Sequence, residues 1–125
     1  MVHINTHGMP GRPFRLAAKL IRAQSKVPKS PVGVDANGSI VLCAAACLAY
    51  AGLQDAFSRE VADNFALHLA KTKSFIEVKQ AFEKLQWPIA VCNGYFDLND
   101  GTPEQIRQNV IAQEFEKSAD ISSIN

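Results

Sequence analysis

One stretch constrains the fold more than any other: residues 40–51 carry no charge and no strongly polar side chain. A segment of this kind has no face that prefers water, which favours a helix buried on most of its sides. Ser39 is a natural N-cap for this helix, and Gly52 can end it by entering the left-handed conformation. The sequence therefore predicts a buried central helix that the other elements surround.

Length and composition indicate one ordinary globular domain. The chain has 125 residues, of which 47% are hydrophobic and 20% charged, enough to bury a core. The apolar run at 40–51 is shorter than the roughly 20 residues that span a bilayer, so we expect no membrane association. Pro10, Gly11 and Pro13 stand where a secretion signal would be apolar, so we expect a cytoplasmic protein.

Apolar residues recur at spacings of three and four in four further segments, which predicts amphipathic helices there. These segments are residues 14–26, 57–71, 75–85 and 103–117. Ser74 with Glu77, and Thr102 with Gln105, match the capping box at a helix start. Residues 35–38 predict a turn. Pro88 disfavours helical geometry at the residue before it and closes the third of these helices.

The remaining segments predict little regular structure. Residues 1–11 are predicted to form an extended or mobile lead, with one short strand possible at residues 2–4, and residues 118–125 are predicted to fray. The Asn93-Gly94 turn signal permits a short hairpin near 89–98, although irregular structure there stays open. The prediction is a mostly α single domain, residues 1–125, of four to five helices around the central one, with at most this minor hairpin.

Three motifs resemble those of a family of small bacterial proteins, frequent in actinobacteria, that has no assigned activity. They are an alanine-rich helix at 16–21, Asp-x-x-Gly at 35–38 before the cysteine-containing segment 43–48, and Asn-Asp at 99–100 before the helix start at 102–106. The resemblance covers residues 14–117. It implies a single helical domain and marks Cys43, Asn99 and Asp100 as positions of interest.

Cys43 carries the one catalytic hypothesis. It lies about one turn into the predicted central helix, where the helix dipole favours a thiolate. His68 would be the base and Asn99, or Asp97, its orienting group, which is the logic of a small cysteine-dependent hydrolase. The alternative is that Cys43 is a small buried hydrophobe. Three cysteines in all give no disulfide framework.

The charge is divided unevenly along the chain. Residues 1–34 hold six basic and no acidic side chains, whereas residues 35–125 hold seven basic and twelve acidic ones. The basic residues from Arg12 to Lys29, which we call the basic stripe, can bind phosphates, but no nucleic-acid motif accompanies them. We therefore expect the stripe to contact residues 35–125, which we call the acidic body, or a second subunit. The candidate binding residues are Arg12, Arg15, Lys19, Arg22, Asp100 and Trp87.

The favoured function is a non-enzymatic small-molecule-binding or protein-interaction module that self-associates through Phe14 and Ile21 on helix 14–26. The cysteine hydrolase stays open, as does an adaptor that binds nucleic acid or an acidic partner through the basic helix. No cofactor is predicted. No metal site is predicted either, because residues 97–108 lack the ligand spacing of a calcium loop.

Overall fold

The computed structural model of this protein describes residues 4–6 and 8–123. Over these residues the chain forms six helices and a two-stranded antiparallel sheet, which confirms the mostly α fold with a minor hairpin. The helices are α1 (Arg12–Ala23), α2 (Ala44–Ala56), α3 (Arg59–Thr72), α4 (Phe75–Lys84), α5 (Ile89–Gly101) and α6 (Glu104–Ser123), and the strands are β1 (Val32–Val34) and β2 (Ile40–Leu42).

Helix α2 is the predicted central helix. Residues 41–49 are all buried, and α2 lies against α1, α3, α4 and α5. Its predicted start is wrong, because residues 40–42 form β2 and Cys43 occupies the N-cap position. Ser39 is instead part of the hairpin, where its backbone N–H donates to Asp35 Oδ1 at 2.9 Å. An apolar run thus divides between a strand and a helix.

The hairpin that the structure contains joins β1 to β2 through the predicted turn at 35–38. Gly33 is opposite Val41 in the register, and Gly38 has a φ of +81°, which favours glycine. Asp35 Oδ1 accepts from the N–H groups of Asn37 and Ser39, both at 2.9 Å. This side-chain cap fixes the turn and explains why the apolar residues after it begin as a strand.

Gly52 does not end α2 as predicted. It lies inside the helix, which continues to Ala56, and a Cβ added at Gly52 would come within 2.1 Å of Trp87 Cη2. The Trp87 ring also stacks edge-on against Phe82, with centroids 5.4 Å apart. The missing side chain therefore lets the residues that follow α4 approach the backbone of the central helix.

Residues 89–101 form helix α5, so the predicted hairpin near 89–98 is wrong in place. Val91, Cys92 and Tyr95 are buried on one side of this helix. Gly94 lies against Ile4, whose side-chain carbons would be 3.3 Å from a Cβ at this position. Asn93-Gly94 is therefore a point of close approach rather than a turn, and α5 is the helix that the sequence did not predict.

The lead and the tail contribute to the core. Part of the predicted lead, residues 1–3 and 7, lies outside the described residues. Of the strand predicted at 2–4, only Ile4 is described. Ile4 and Met9 are buried, so part of the predicted extended or mobile lead packs against the core. The predicted fraying from residue 118 is wrong as far as Ser123, because α6 continues and Ser118 is buried. Residues 124–125 lie outside the described part.

The apolar face of α1 is covered by its own chain. Phe14 and Ile21 are fully buried, and α1 lies along α6 and α2. The single chain buries this face by itself, so the structure gives no support to a subunit interface there, and self-association stays a prediction. In the portion of the chain that the structure describes, no helix combines the length and apolarity needed to traverse a bilayer.

Candidate ligand-binding site

Cys43 lies at the N-cap of α2 and is fully buried. Burial raises the pKa of its thiol to about 11, although the backbone N–H groups of Ala46 and Ala45 act in the opposite direction. Desolvation thus outweighs the helix terminus. At neutral pH the sulfur is a protonated thiol, not the thiolate that a nucleophile requires.

Asn99 is close to Cys43 along the fold but serves the backbone. Its side-chain Oδ1 accepts from the N–H of Ala44 at 2.9 Å, and its Nδ2 donates to the carbonyl of Pro28 at 2.9 Å. The residue is fully buried. The side-chain amide of Asn99 therefore links α5 to the start of α2 and to the loop at Pro28. Neither its oxygen nor its nitrogen is available to orient a histidine.

His68 is on α3, with its side chain 61% exposed. Its Nε2 lies 2.7 Å from Glu77 Oε2 on α4. The carboxylate of Glu77, which the sequence assigns to a capping box, therefore contacts this histidine. Among the residues described, no hydrogen bond joins His68 to Cys43 or Asn99, and Asp97 is exposed on α5. The structure brings Asn99 beside Cys43 and leaves His68 apart, which gives the hydrolase hypothesis no support.

Ion pairs within the chain involve Arg12, Arg22 and Lys29 of the basic stripe. Arg12 Nη2 lies 3.1 Å from Asp55, Arg22 Nη2 lies 2.9 Å from Glu116, and Lys29 Nζ lies 3.8 Å from the candidate residue Asp100. The other two candidates on this helix, Arg15 and Lys19, are exposed. Exposed pairs contribute little stability, about 0–1 kcal/mol each. These ion pairs show that the basic stripe contacts the acidic body, which is one of its two predicted partners.

Arg107 is a buried residue that sequence reasoning missed. Its Nε donates to the carbonyls of Asn99 and Thr102, both at 3.1 Å, and its Nη1 donates to the carbonyl of Val27 at 2.9 Å. The Thr102 hydroxyl donates to the carbonyl of Leu98 and so closes the end of α5, although the sequence predicts Thr102 as the N-cap of the next helix. The guanidinium thus holds α5 to the segment after α1.

A cleft of about 670 Å³ opens between the end of α1, the hairpin, α2 and α3. Its apolar lining includes Leu20, Ile40, Leu42 and Leu67. Leu67 is 56% exposed, so the cleft presents apolar surface to water. This volume and this mixture of apolar walls with a few polar groups are typical of small-molecule sites.

The wall between α1 and β2 is fixed by side-chain amides. Gln24 donates from Nε2 to the carbonyl of Leu42 at 3.0 Å and accepts at Oε1 from the Leu42 N–H at 2.9 Å. Gln108 on α6 donates to the carbonyl of Ile21 at 2.8 Å, at the end of α1. The backbone that borders the cleft, in α1 and in β2, is therefore fixed by hydrogen bonds from side chains.

Among the residues that the structure describes, the charged groups that line the cleft are two carboxylates, Asp35 and Asp63, without a lining Lys, Arg or His. The Tyr50 hydroxyl donates to Asp63 Oδ1, and burial, then this hydrogen bond, raises the tyrosine pKa. The Ser25 hydroxyl donates a hydrogen bond to Asp35, as do the backbone N–H groups of Ser39 and Asn37, and these bonds lower the pKa of Asp35. Arg59, which does not itself line the cleft, has its Nε 3.9 Å from Asp63 Oδ2.

Neither this cleft nor a second cavity contains the residues of the catalytic hypothesis. The second cavity, of about 410 Å³, lies between α2, α3 and α4 and is lined by Leu53, Phe65 and Lys84 among others. Cys43, His68 and Asn99 line neither of the two. Over residues 4–6 and 8–123, no three His, Cys, Asp or Glu side chains are grouped to hold a metal ion.

Trp87, a predicted binding residue, lines neither cavity and packs against Gly52 and Phe82. Its place in the fold gives it a structural role. No protein-family model, curated protein or solved structure matches this chain. The resemblance to the family of small bacterial proteins therefore stays a prediction.

Proposed function

We propose that this protein is a non-enzymatic binding module that takes a small molecule into the cleft between α1, β2 and α3, which we call the hairpin cleft. The observation that carries the proposal is the cleft itself: about 670 Å³, with an apolar lining and carboxylates among its few polar groups. Ligand sites of proteins usually have 300–1,000 Å³ and this mixed lining.

A binding role is favoured over catalysis by the state of the cysteines. Cys47 lines the cleft but is 1% exposed, burial raises its pKa, and its Sγ lies 3.7 Å from the carbonyl of Ala17. Cys43 is equally buried. A nucleophile needs an accessible thiolate with a base beside it, and neither sulfur has these properties.

The two wider roles that the sequence suggests have less support. Self-association through α1 would need Phe14 and Ile21, which the chain itself buries. An adaptor that binds phosphates through α1 has no cavity to support it: Arg12 and Arg22 form exposed ion pairs with acidic residues of the chain and line neither of the two cavities. We therefore keep small-molecule binding and propose a cytoplasmic location, which fits three free thiols.

The test is a fragment screen by ¹H–¹⁵N NMR on the wild-type protein and on Ala23→Phe. Ala23 lines the cleft and is exposed, so phenylalanine there should fill the cleft without disturbing the core. Ala90→Phe, on an exposed position of α5 that lines neither cavity, is the matched control.

We expect fragments to shift the amide signals of Leu20, Ile40 and Leu67, and we expect Ala23→Phe but not Ala90→Phe to abolish these shifts. Fragments whose shifts cluster around Leu53 and Phe65, or that bind Ala23→Phe as well as the wild type, would contradict the hairpin cleft as the binding site.

A further inference from the structure

Resting on the proposed function, we infer that the ligand of the hairpin cleft is a small organic cation: a protonated amine attached to an apolar body. The inference joins two independent features of the cleft. Its walls include Leu20, Ile40 and Leu67, which favour an apolar body. Its lining charges are the carboxylates Asp35 and Asp63, which favour a positive head group and repel an acid.

Asp63 is the carboxylate that can receive the ammonium group. Its Oδ1 accepts from the Tyr50 hydroxyl, and its side chain is 51% exposed at the cleft. A carboxylate has lone pairs for about four hydrogen bonds, so an ammonium can bind beside the tyrosine. The tyrosine bond holds the carboxylate in place, which reduces the cost of ordering it on binding.

Asp35 adds negative charge to the lining of the cleft but has little free hydrogen-bonding capacity. Its oxygens accept from the Ser25 hydroxyl at 2.7 Å and from the N–H groups of Asn37 and Ser39 at 2.9 Å. It therefore acts on a ligand through its charge, not as a direct partner. Lys26 lies near Asp35 and weakens this charge in part.

Arg59 is the competing cation of the protein itself. Its Nε lies 3.9 Å from Asp63 Oδ2, beyond normal hydrogen-bond distance, and its side chain is 80% exposed. A pair of this kind is weak, so a ligand ammonium can bind Asp63 with the arginine displaced toward water. Removal of the arginine charge should strengthen the binding of a cation and leave a neutral molecule unaffected.

The experiment compares three probes of similar shape by calorimetric titration: 2-phenylethylammonium, 2-phenylethanol and 3-phenylpropionate. We expect the ammonium to bind at least about fivefold more tightly than the alcohol, which corresponds to one unit charge pair at 4 Å in water. We expect 3-phenylpropionate to bind more weakly than both. Equal affinities for the ammonium and the alcohol would overturn the inference and leave the proposed function intact.

Two variants locate the effect. Asp63→Asn keeps an acceptor for Tyr50 and removes the charge, so it should reduce the preference for the ammonium about fivefold, while Asp97→Asn, exposed on α5 and outside the cleft, should not. Arg59→Gln should increase the preference for the ammonium over the alcohol. An unchanged preference in Asp63→Asn, or no binding of the ammonium to the wild type, would overturn the inference.

Discussion

Asn99 on α5 caps the first turn of α2 through a single atom: its Oδ1 accepts a hydrogen bond from the backbone N–H of Ala44 at 2.9 Å. Cys43, the local N-cap residue, makes no side-chain cap hydrogen bond. The central helix therefore depends on a residue 55 positions further along the chain for a cap that helices usually find locally. Its start is fixed by tertiary structure.

Replacement of Asn99 by alanine should lower the free energy of unfolding by about 2–4 kcal/mol. The change leaves the N–H of Ala44 and the carbonyl of Pro28 without their partner, and an unsatisfied buried group costs about 1–3 kcal/mol. Urea denaturation measures the loss. Asn93→Ala, exposed on the same helix, should change stability by less than about 0.5 kcal/mol. Equal effects of the two variants would show that the cap contributes nothing.

Gly52→Ala should destabilise the protein by about 1–3 kcal/mol, because the new Cβ would lie within 2.1 Å of Trp87 Cη2. Gly101→Ala, at the end of α5 with nothing within 4 Å, should be neutral or slightly stabilising. Thermal unfolding compares them. Adding Trp87→Leu to Gly52→Ala should cost less than the sum of the two single changes, since it removes the closest clash and leaves that with Leu85 Cδ1 at 2.8 Å. Strict additivity would contradict the contact.

Gly52 and Gly94 show how far the sequence predicts this fold. Periodicity located α1, α3, α4 and α6 and the buried central segment, because their apolar faces do enter the core. It misread Gly52 as a helix end and Gly94 as part of a turn. Both are points of close approach, to Trp87 and Ile4 respectively. Local signals do not distinguish a glycine that ends an element from one that admits a neighbour.

Phe14 should matter for folding rather than for association. It is fully buried, so Phe14→Ala should cost about 3–5 kcal/mol, whereas Arg22→Gln, which removes an exposed ion pair, should cost less than about 1 kcal/mol. Chemical denaturation measures both changes. Sedimentation of Phe14→Ala under folding conditions should match that of the wild type. A change of oligomeric state without a loss of stability would restore the interface prediction.

Cys43 should resist alkylation in the native protein at neutral pH, because the thiol is buried and its pKa is raised to about 11. Iodoacetamide labelling followed by peptide mass spectrometry should show modification of Cys43 only as fast as the protein unfolds. Labelling in denaturing urea is the control for intrinsic reactivity. Rapid modification of native Cys43 would revive the nucleophile hypothesis.

The raised thiol pKa also predicts a pH dependence. The folded state holds its proton above the ordinary pKa of 9.0, whereas the unfolded state releases it. The unfolded state therefore binds fewer protons over this range, so stability should fall as pH rises from 9.0 toward about 11. Cys43→Ala should reduce this fall when unfolding is measured across the range; Cys47, Cys92, Tyr50 and Tyr95, whose pKa values are also raised, contribute to what remains. An identical pH profile in the variant would contradict the burial of this thiol.

The hairpin cleft was beyond the reach of sequence reasoning for a physical reason. Leu20, Asp35, Tyr50 and Asp63 belong to different elements, and no spacing along the chain brings them together. In the sequence, Tyr50 belongs to the apolar run 40–51 and Asp63 to the predicted helix 57–71, and neither position indicates a binding site. Their hydrogen bond exists only once α2 and α3 are packed together. The catalytic hypothesis rests on residue types and on the place of Cys43 near a helix start, and packing leaves His68 apart from Cys43 and Asn99.

The most direct test of the central claim is a crystal structure of the protein bound to 2-phenylethylammonium. We predict that the ring lies against Leu20 and Ile40 in the hairpin cleft, with the nitrogen within hydrogen-bond distance of Asp63. A ligand seated between Leu53 and Phe65 in the second cavity, or an ammonium directed away from Asp63, would contradict it.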